Sequence, residues 1–242
     1  MKGQDTGETE GGVVRLVNGV VWVRFIRQMV NRVSDNNESV ARHNSRANLE
    51  RLLGEINAEP ERRDEIAREI ESVFGQDKAV FVLDMSGFSR TTRQHGIISF
   101  LLMIHQMKLV AVPSIEKHSG LLVKAEADNL FCLFDTAEDA VRAAADIIQR
   151  LDAVNTLLPD ERCLYASIGI GYGRILNVGD EDLFGDEVNL ASKLGEDVAE
   201  RRAVLLTPAA RARLQDASVV TREETLSISG LSLSYHVVEG FG

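Results

Sequence analysis

Five apolar residues in a row, Ala79-Val80-Phe81-Val82-Leu83, close on an acid, Asp84, and a glycine turn, Met85-Ser86-Gly87-Phe88-Ser89. A short continuous run rich in β-branched residues predicts a buried strand, and Ser89 stands where it can cap a following helix. Upstream, helical spacing covers 46–57 and 61–74, with Pro60 at the start of the second stretch and Gly75 ending it. Downstream, 97–112 is apolar and long enough for a buried helix that Pro113 interrupts or kinks. Residues 121–126 and 130–134 read as strands joined by Ala127-Asp128-Asn129, a hairpin by length and turn chemistry. Apolar positions Ala140, Ala144, Ile147, Ile148 and Leu151 give 137–151 a helical period, 164–173 reads as a strand, and 184–200 as a helix. A strand at 203–206, a short helix at 208–214 opened by Thr207, and alternating C-terminal strands complete the pattern. This order predicts an α+β fold: a ferredoxin-like βαββαβ core, helices on one face of an antiparallel sheet, with an added α/β appendage and a helical N-terminal extension.

Composition narrows the picture. The 242 residues divide into an extension, 1–75, and a main domain, 76–242. Within the extension, 1–12 is polar and glycine-rich and 34–45 is linker-like. Residues 13–33 are apolar but broken by Arg15, Arg24, Arg27 and Arg32, too charged to span a bilayer. Packing on the main domain or a partner is favoured for that segment over a basic amphipathic helix lying on a membrane. A net charge of −10 excludes a general nucleic-acid-binding surface. Two cysteines, Cys132 and Cys163, lie in apolar runs without zinc spacing and read as small buried hydrophobes. With no signal-peptide pattern and no run of 18 uninterrupted apolar residues, the expectation is a cytoplasmic protein.

The chemistry starts at Asp84. A carboxylate beside free backbone N–H groups at a helix start suits a hard cation together with a polyphosphate. Asp128, at the hairpin tip, belongs to strands that neighbour the first strand in such a core, so the two acids can meet at one end of the sheet. Asp-Asn is also ordinary turn chemistry. Asn189 and Lys193, at i and i+4, can point from one helix face into one pocket. Gly169, Gly171 and Gly173 lack the strand-to-helix context of a dinucleotide fingerprint, and predict instead a strand approached closely by other backbone. The histidines 95, 105 and 118 have no ligand spacing, and Ser86 and Ser119 no associated base.

Taken together, DMSGFS, LVKAEADNLFCLF, SIGIGYG and DLFGDEVNLASKL, in that order, resemble the class III adenylyl/guanylyl cyclase catalytic domain over about 78–240. The resemblance implies conversion of a nucleoside triphosphate to its 3′,5′-cyclic monophosphate and pyrophosphate, with two divalent ions, Mg²⁺ or Mn²⁺, at a homodimer interface. By the same resemblance Asp84, Asp128 and the Met85 carbonyl hold metal. The turn amides of Met85, Ser86, Gly87, Phe88 and Ser89 cradle the triphosphate. Lys124 and Asp182 read the base, Asn189 orients the ribose and Lys193 serves the transition state. A lysine and an acid complement adenine's N1 acceptor and N6 donor, so ATP is the expected substrate and cyclic AMP signalling the expected role. Residues 1–75 would tether the dimer or receive a regulatory partner.

Several positions depart from the family pattern. Lys193 replaces the usual arginine and loses its two-pronged grip. Ala127 replaces a glycine, while Ser167 and Ser229 stand where phosphate-binding cations are common, leaving Lys193 and Arg174 as candidates for that charge. The alternative reading is therefore a weak or inactive cyclase-like domain that binds nucleotide or a partner protein. A two-metal transferase of the polymerase-palm kind is disfavoured, because it has no use for a base-reading pair.

Overall fold

The computed structural model describes residues 43–85, 88–228 and 231–241; the segment 13–33 and Ser229 lie outside them. Alternation along the first apolar run organises the domain. Ala79, Phe81, Leu83 and Met85 belong to one buried cluster, Val80 and Val82 to another, so strand β1 (Gly75–Met85) is covered on both faces. The sheet runs β2 (Leu121–Glu126), β3 (Asn129–Phe134), β1, β4 (Ala166–Val178), β6 (Val204–Leu206), β8 (Leu231–Phe241), β7 (Val219–Ile228), with β5 (Asp182–Phe184) folded back on β4. Pairing is antiparallel except between β4 and β6. The segment β2-β3-β1-β4 is the expected ferredoxin-like core, and β6-β8-β7 is the appendage.

The larger cluster lies under helices α3 (Phe88–Lys117), α4 (Ala137–Asn155) and α6 (Pro208–Arg213), with Met107, Ala111, Ile115, Ala144, Ile147 and Ala210 fully buried. The opposite face is not bare, contrary to expectation. Helix α5 (Asp186–Lys193) packs Val188 and Ala191 there, and one wide π-helical turn, Leu194–Val198, follows it. Glycines in β4 make this approach feasible: a Cβ on Gly169 would strike the Ala191 carbonyl and the Gly195 amide. The expected single helix over 184–200 is thus a strand, a helix and a π turn, divided at Gly185, whose φ of 151° favours glycine.

Helix α3 differs from expectation twice. Its break falls at Gly96 (φ 80°, ψ 170°), which only glycine adopts readily, and Pro113 is carried within the helix. It is also half exposed: Ile97, Ile98, Leu101, Leu102 and Leu109 face outward while Met103, Met107, Ala111 and Ile115 enter the core. Among the described residues, Gly96–Lys117 is one helix long and apolar enough to cross a membrane; here its buried face is built into the sheet core. Cys132 is buried in β3, whereas Cys163 precedes β4 and is half-buried; both thiols are free.

Helices α1 (Arg46–Ala58) and α2 (Arg63–Phe74), joined by a 3-10 turn at Pro60–Arg62, bury Leu52, Ile66, Ile70 and Phe74 against Val178 and Leu176 of β4. Phe74 passes directly into Gly75 of β1, so the helical pair is continuous with the sheet.

Candidate active site

Asp84 is the penultimate residue of β1, opposite Ser167 of β4, and strand alternation puts it on the face that α5 covers. The β2–β3 hairpin closes on Ala127 and Asp128, between the paired Glu126 and Asn129. Ala127 adopts φ 49° without being glycine, a left-handed conformation that strains a residue with a Cβ. That turn brings Asp128 to Asp84. Burial first, then the charge of Asp128, then that of Glu196 on the π turn, push the Asp84 carboxyl up to about 7. Glu196 is itself raised, by burial and then by Asp197, Asp128 and Glu126. A carboxylate raised by neighbouring acids is one that a bound cation would favour in its charged form.

Hard oxygen donors in this arrangement fit Mg²⁺ or Mn²⁺. Among the described residues no three His, Cys, Asp or Glu side chains form a closed metal cage. Magnesium sites made of one or two carboxylates, completed by substrate phosphates, need none. The Met85 side chain is buried, which leaves its carbonyl as the candidate ligand. Ser86 and Gly87 lie outside the described residues. Phe88 and Ser89 are the first two residues of α3, so Ser89 lies within the helix and not before it as expected.

A second cluster forms on β2. The ladder slips between Leu122 and Lys124, and this bulge re-aims the strand so that Val123 joins the α5-side cluster while Lys124 pairs with Phe131. Lys124 Nζ lies 4.7 Å from the Phe131 ring centroid and donates to Asp182 Oδ1 at 2.8 Å and Glu126 Oε1 at 3.1 Å. Burial opposes the Lys124 charge, but Asp182 and Glu126 outweigh it and raise its pKa. Asp182 is held below the usual carboxylate range: burial works against ionisation, and hydrogen bonds from Lys124, Arg46 and the Leu183 N–H overcome it. The structure thus places Asp128 where its charge acts on Asp84, and bonds Lys124 to Asp182.

Asn189 and Lys193 share the outer part of α5, Asn189 exposed and Lys193 ending the helix. Lys193 Nζ is paired with Asp197 Oδ2 at 2.9 Å. Arg174 lies far from Asp84 of its own chain and is paired with other acids. It bonds Glu71 at 3.1 Å and Asp77 at 3.3 Å, seven residues of β1 from Asp84, roughly 23 Å at 3.3 Å per residue. Ser167 is buried, its hydroxyl donating to the Glu200 carbonyl at 3.3 Å.

Three residues escape a sequence reading. Glu187, in the first turn of α5, accepts through Oε2 from the Tyr172 N–H at 3.0 Å and from Thr207 Oγ1 at 2.7 Å, tying α5 to β4 and to the cap of α6. Glu196, on the π turn, acts on Asp84 through its charge. Arg46, in α1, donates to Asp182 Oδ2 at 2.9 Å. Glu126 alone carried a signal, through its alternation with Lys124 and Asp128 along the hairpin.

No family profile matches this chain. It is 32% identical over 124 residues to "Putative adenylate cyclase 3" of Rhizobium meliloti (strain 1021), a match covering 51% of this chain and 21% of that protein. The chain thus spans about a fifth of the length of that curated relative. Among solved structures, an adenylate/guanylate cyclase/hydrolase from Silicibacter pomeroyi superposes with TM-score 0.57 at 25% identity, covering 68% of this chain and 97% of that one. A bacterial light-regulated adenylyl cyclase gives TM-score 0.59 at 20% identity, covering 68% and 91%. The catalytic core of a rhodopsin-guanylyl cyclase with converted specificity, in complex with ATPαS, gives 0.60 at 17%, covering 69% and 99%. The fold is that of the class III adenylyl/guanylyl cyclase catalytic domains among these structures.

Proposed function

We propose that this domain is an adenylyl cyclase that forms 3′,5′-cyclic AMP and pyrophosphate from ATP in a homodimer whose sites lie between the chains. The observation that carries the reading is the convergence of Asp84 and Asp128 beside the end of β1, on the sheet face that also bears the Lys124–Asp182 pair. In each site one chain presents Asp84, Asp128 and the Met85 carbonyl as hard oxygen ligands. Bound there, two divalent ions would lower the pKa of the ribose 3′-hydroxyl and neutralise the triphosphate. The backbone amides at the start of α3 face the phosphates. The other chain supplies Lys124, one of whose three protons can reach adenine N1, and Asp182, an acceptor for the N6 amino group. Asn189 orients the ribose. Lys193 exchanges Asp197 for the charge that develops at phosphorus. Among the described residues no side chain stands out as general base, and the 3′-hydroxyl proton passes to water or substrate.

The test is direct: incubate the purified chain with ATP or GTP and Mn²⁺ or Mg²⁺ and follow cyclic nucleotide by chromatography. Cyclic AMP, and far less cyclic GMP, is expected. The Lys193–Asp197 pair, with Arg174 and Ser167 committed elsewhere, favours a second reading, a domain that binds nucleotide or a partner without turnover. ATP binding without product under either metal would establish that alternative. In both readings residues 1–75 serve as the regulatory or tethering part.

A further inference from the structure

Arg46 lies outside every motif that carries the base-reading pair, yet it is bonded to it. Asp182 offers about four lone-pair sites. Oδ1 takes the Lys124 ammonium at 2.8 Å and the Leu183 N–H at 3.0 Å, and Oδ2 takes the Arg46 guanidinium at 2.9 Å. One acceptor site on Oδ2 remains, and the three hydrogen bonds hold the carboxylate in this orientation. The guanidinium is half exposed, but its backbone is fixed. Ser45 caps α1 through the Asn48 N–H at 3.2 Å. Asn44 Oδ1 accepts from the Gly179 N–H at 2.8 Å in the turn between β4 and β5, and α1 and α2 bury their apolar side on β4.

We propose that Arg46 is a positioning residue for base recognition: from the first turn of α1 it holds Asp182 so that a single acceptor site meets the exocyclic amino group of adenine. The inference rests on the cyclase reading and deepens it. Guanine places a carbonyl oxygen where adenine has that amino group, so a carboxylate locked in this orientation repels it. A carboxylate freed on one side can turn, and discrimination weakens. The base pocket is thereby tied to α1 of the extension.

The experiment compares the full chain with Arg46→Ala and Arg46→Lys, with thermal melts confirming the fold of each. For Arg46→Ala, KM for ATP should rise about three- to tenfold, with kcat within about twofold and the preference for ATP over GTP reduced. Arg46→Lys, which keeps the charge within reach of Oδ2, should recover most of both. An unchanged KM and preference overturns the proposal, as does a kcat loss that tracks the melting temperature. If the wild-type chain makes no cyclic product, the cyclase reading fails by itself, and equilibrium binding of ATP and GTP decides the inference. Weaker ATP binding with GTP binding unchanged in Arg46→Ala upholds it; equal losses, or no binding of either nucleotide to the wild type, overturn it.

Discussion

At the residue scale, the metal-ligand role proposed for Asp84 stands against stability. In the fold Asp84 keeps its proton up to about 7, against 3.8 for the free side chain, because burial and then Asp128 and Glu196 disfavour the anion. An acid with a raised folded pKa costs the fold nothing below its unfolded value. The cost grows as pH rises between the two values and is complete above the folded one. A shift of that size corresponds to about 4 kcal/mol, which solvent screening at a half-buried site reduces to about 1–2. Asp84→Asn should therefore stabilise the metal-free protein by that amount at pH 8 and much less at pH 4, while abolishing turnover. Urea denaturation at both pH values is the check, and equal stability of the two proteins at pH 8 contradicts the account. Ala127 invites a simpler test. Its φ of 49° costs roughly 1–2 kcal/mol for a residue with a Cβ, partly offset by the backbone entropy glycine loses, so Ala127→Gly should raise the urea midpoint by the equivalent of about 1 kcal/mol.

At the element scale, the active face depends on how closely α5 approaches β4. Gly169 lies against the Ala191 carbonyl and the Gly195 amide, with no room for a methyl group. Gly169→Ala should push α5 outward, destabilise the fold by about 1–3 kcal/mol and lower turnover at least tenfold by moving Asn189 and Lys193. A melting curve paired with a rate measurement separates this from general loosening, since Cys132→Ala on the other face should soften the fold with a smaller loss of rate. The close approach was legible, since three glycines alternating in a strand have few other uses. So were β1 with its terminal acid, the hairpin and the period of α4, because a buried strand and an amphipathic helix leave their period in the sequence. The fold of 184–200 was not, because Val188, Ala191 and Leu194 keep one apolar spacing across a helix and a π turn. Nor was the bulge before Lys124, which changes the facing of a residue without changing its neighbours in sequence. Glu187 and Arg46 were missed for a common reason: each bonds a partner on a remote element, and composition carries no trace of such a contact.

For the whole molecule, the domain presents two charged clusters on one sheet face, Asp84 with Asp128 and Glu196, and Lys124 with Asp182. Glu126 touches both: it bonds Lys124, and its charge raises Glu196. In the proposed reading a nucleotide takes metal ligands from one copy and base contacts from another, which a symmetric pair supplies twice. Mixing two individually inactive variants tests this sharing most directly: Asp84→Ala, lacking a metal ligand, and Asn189→Ala, lacking the ribose contact. Random pairing makes half the dimers mixed, each with one intact site of two, so the mixture should recover about a quarter of wild-type cyclic AMP formation. Recovery near that level upholds a site built from two chains. A mixture as inactive as its components, from proteins shown to exchange subunits, contradicts it.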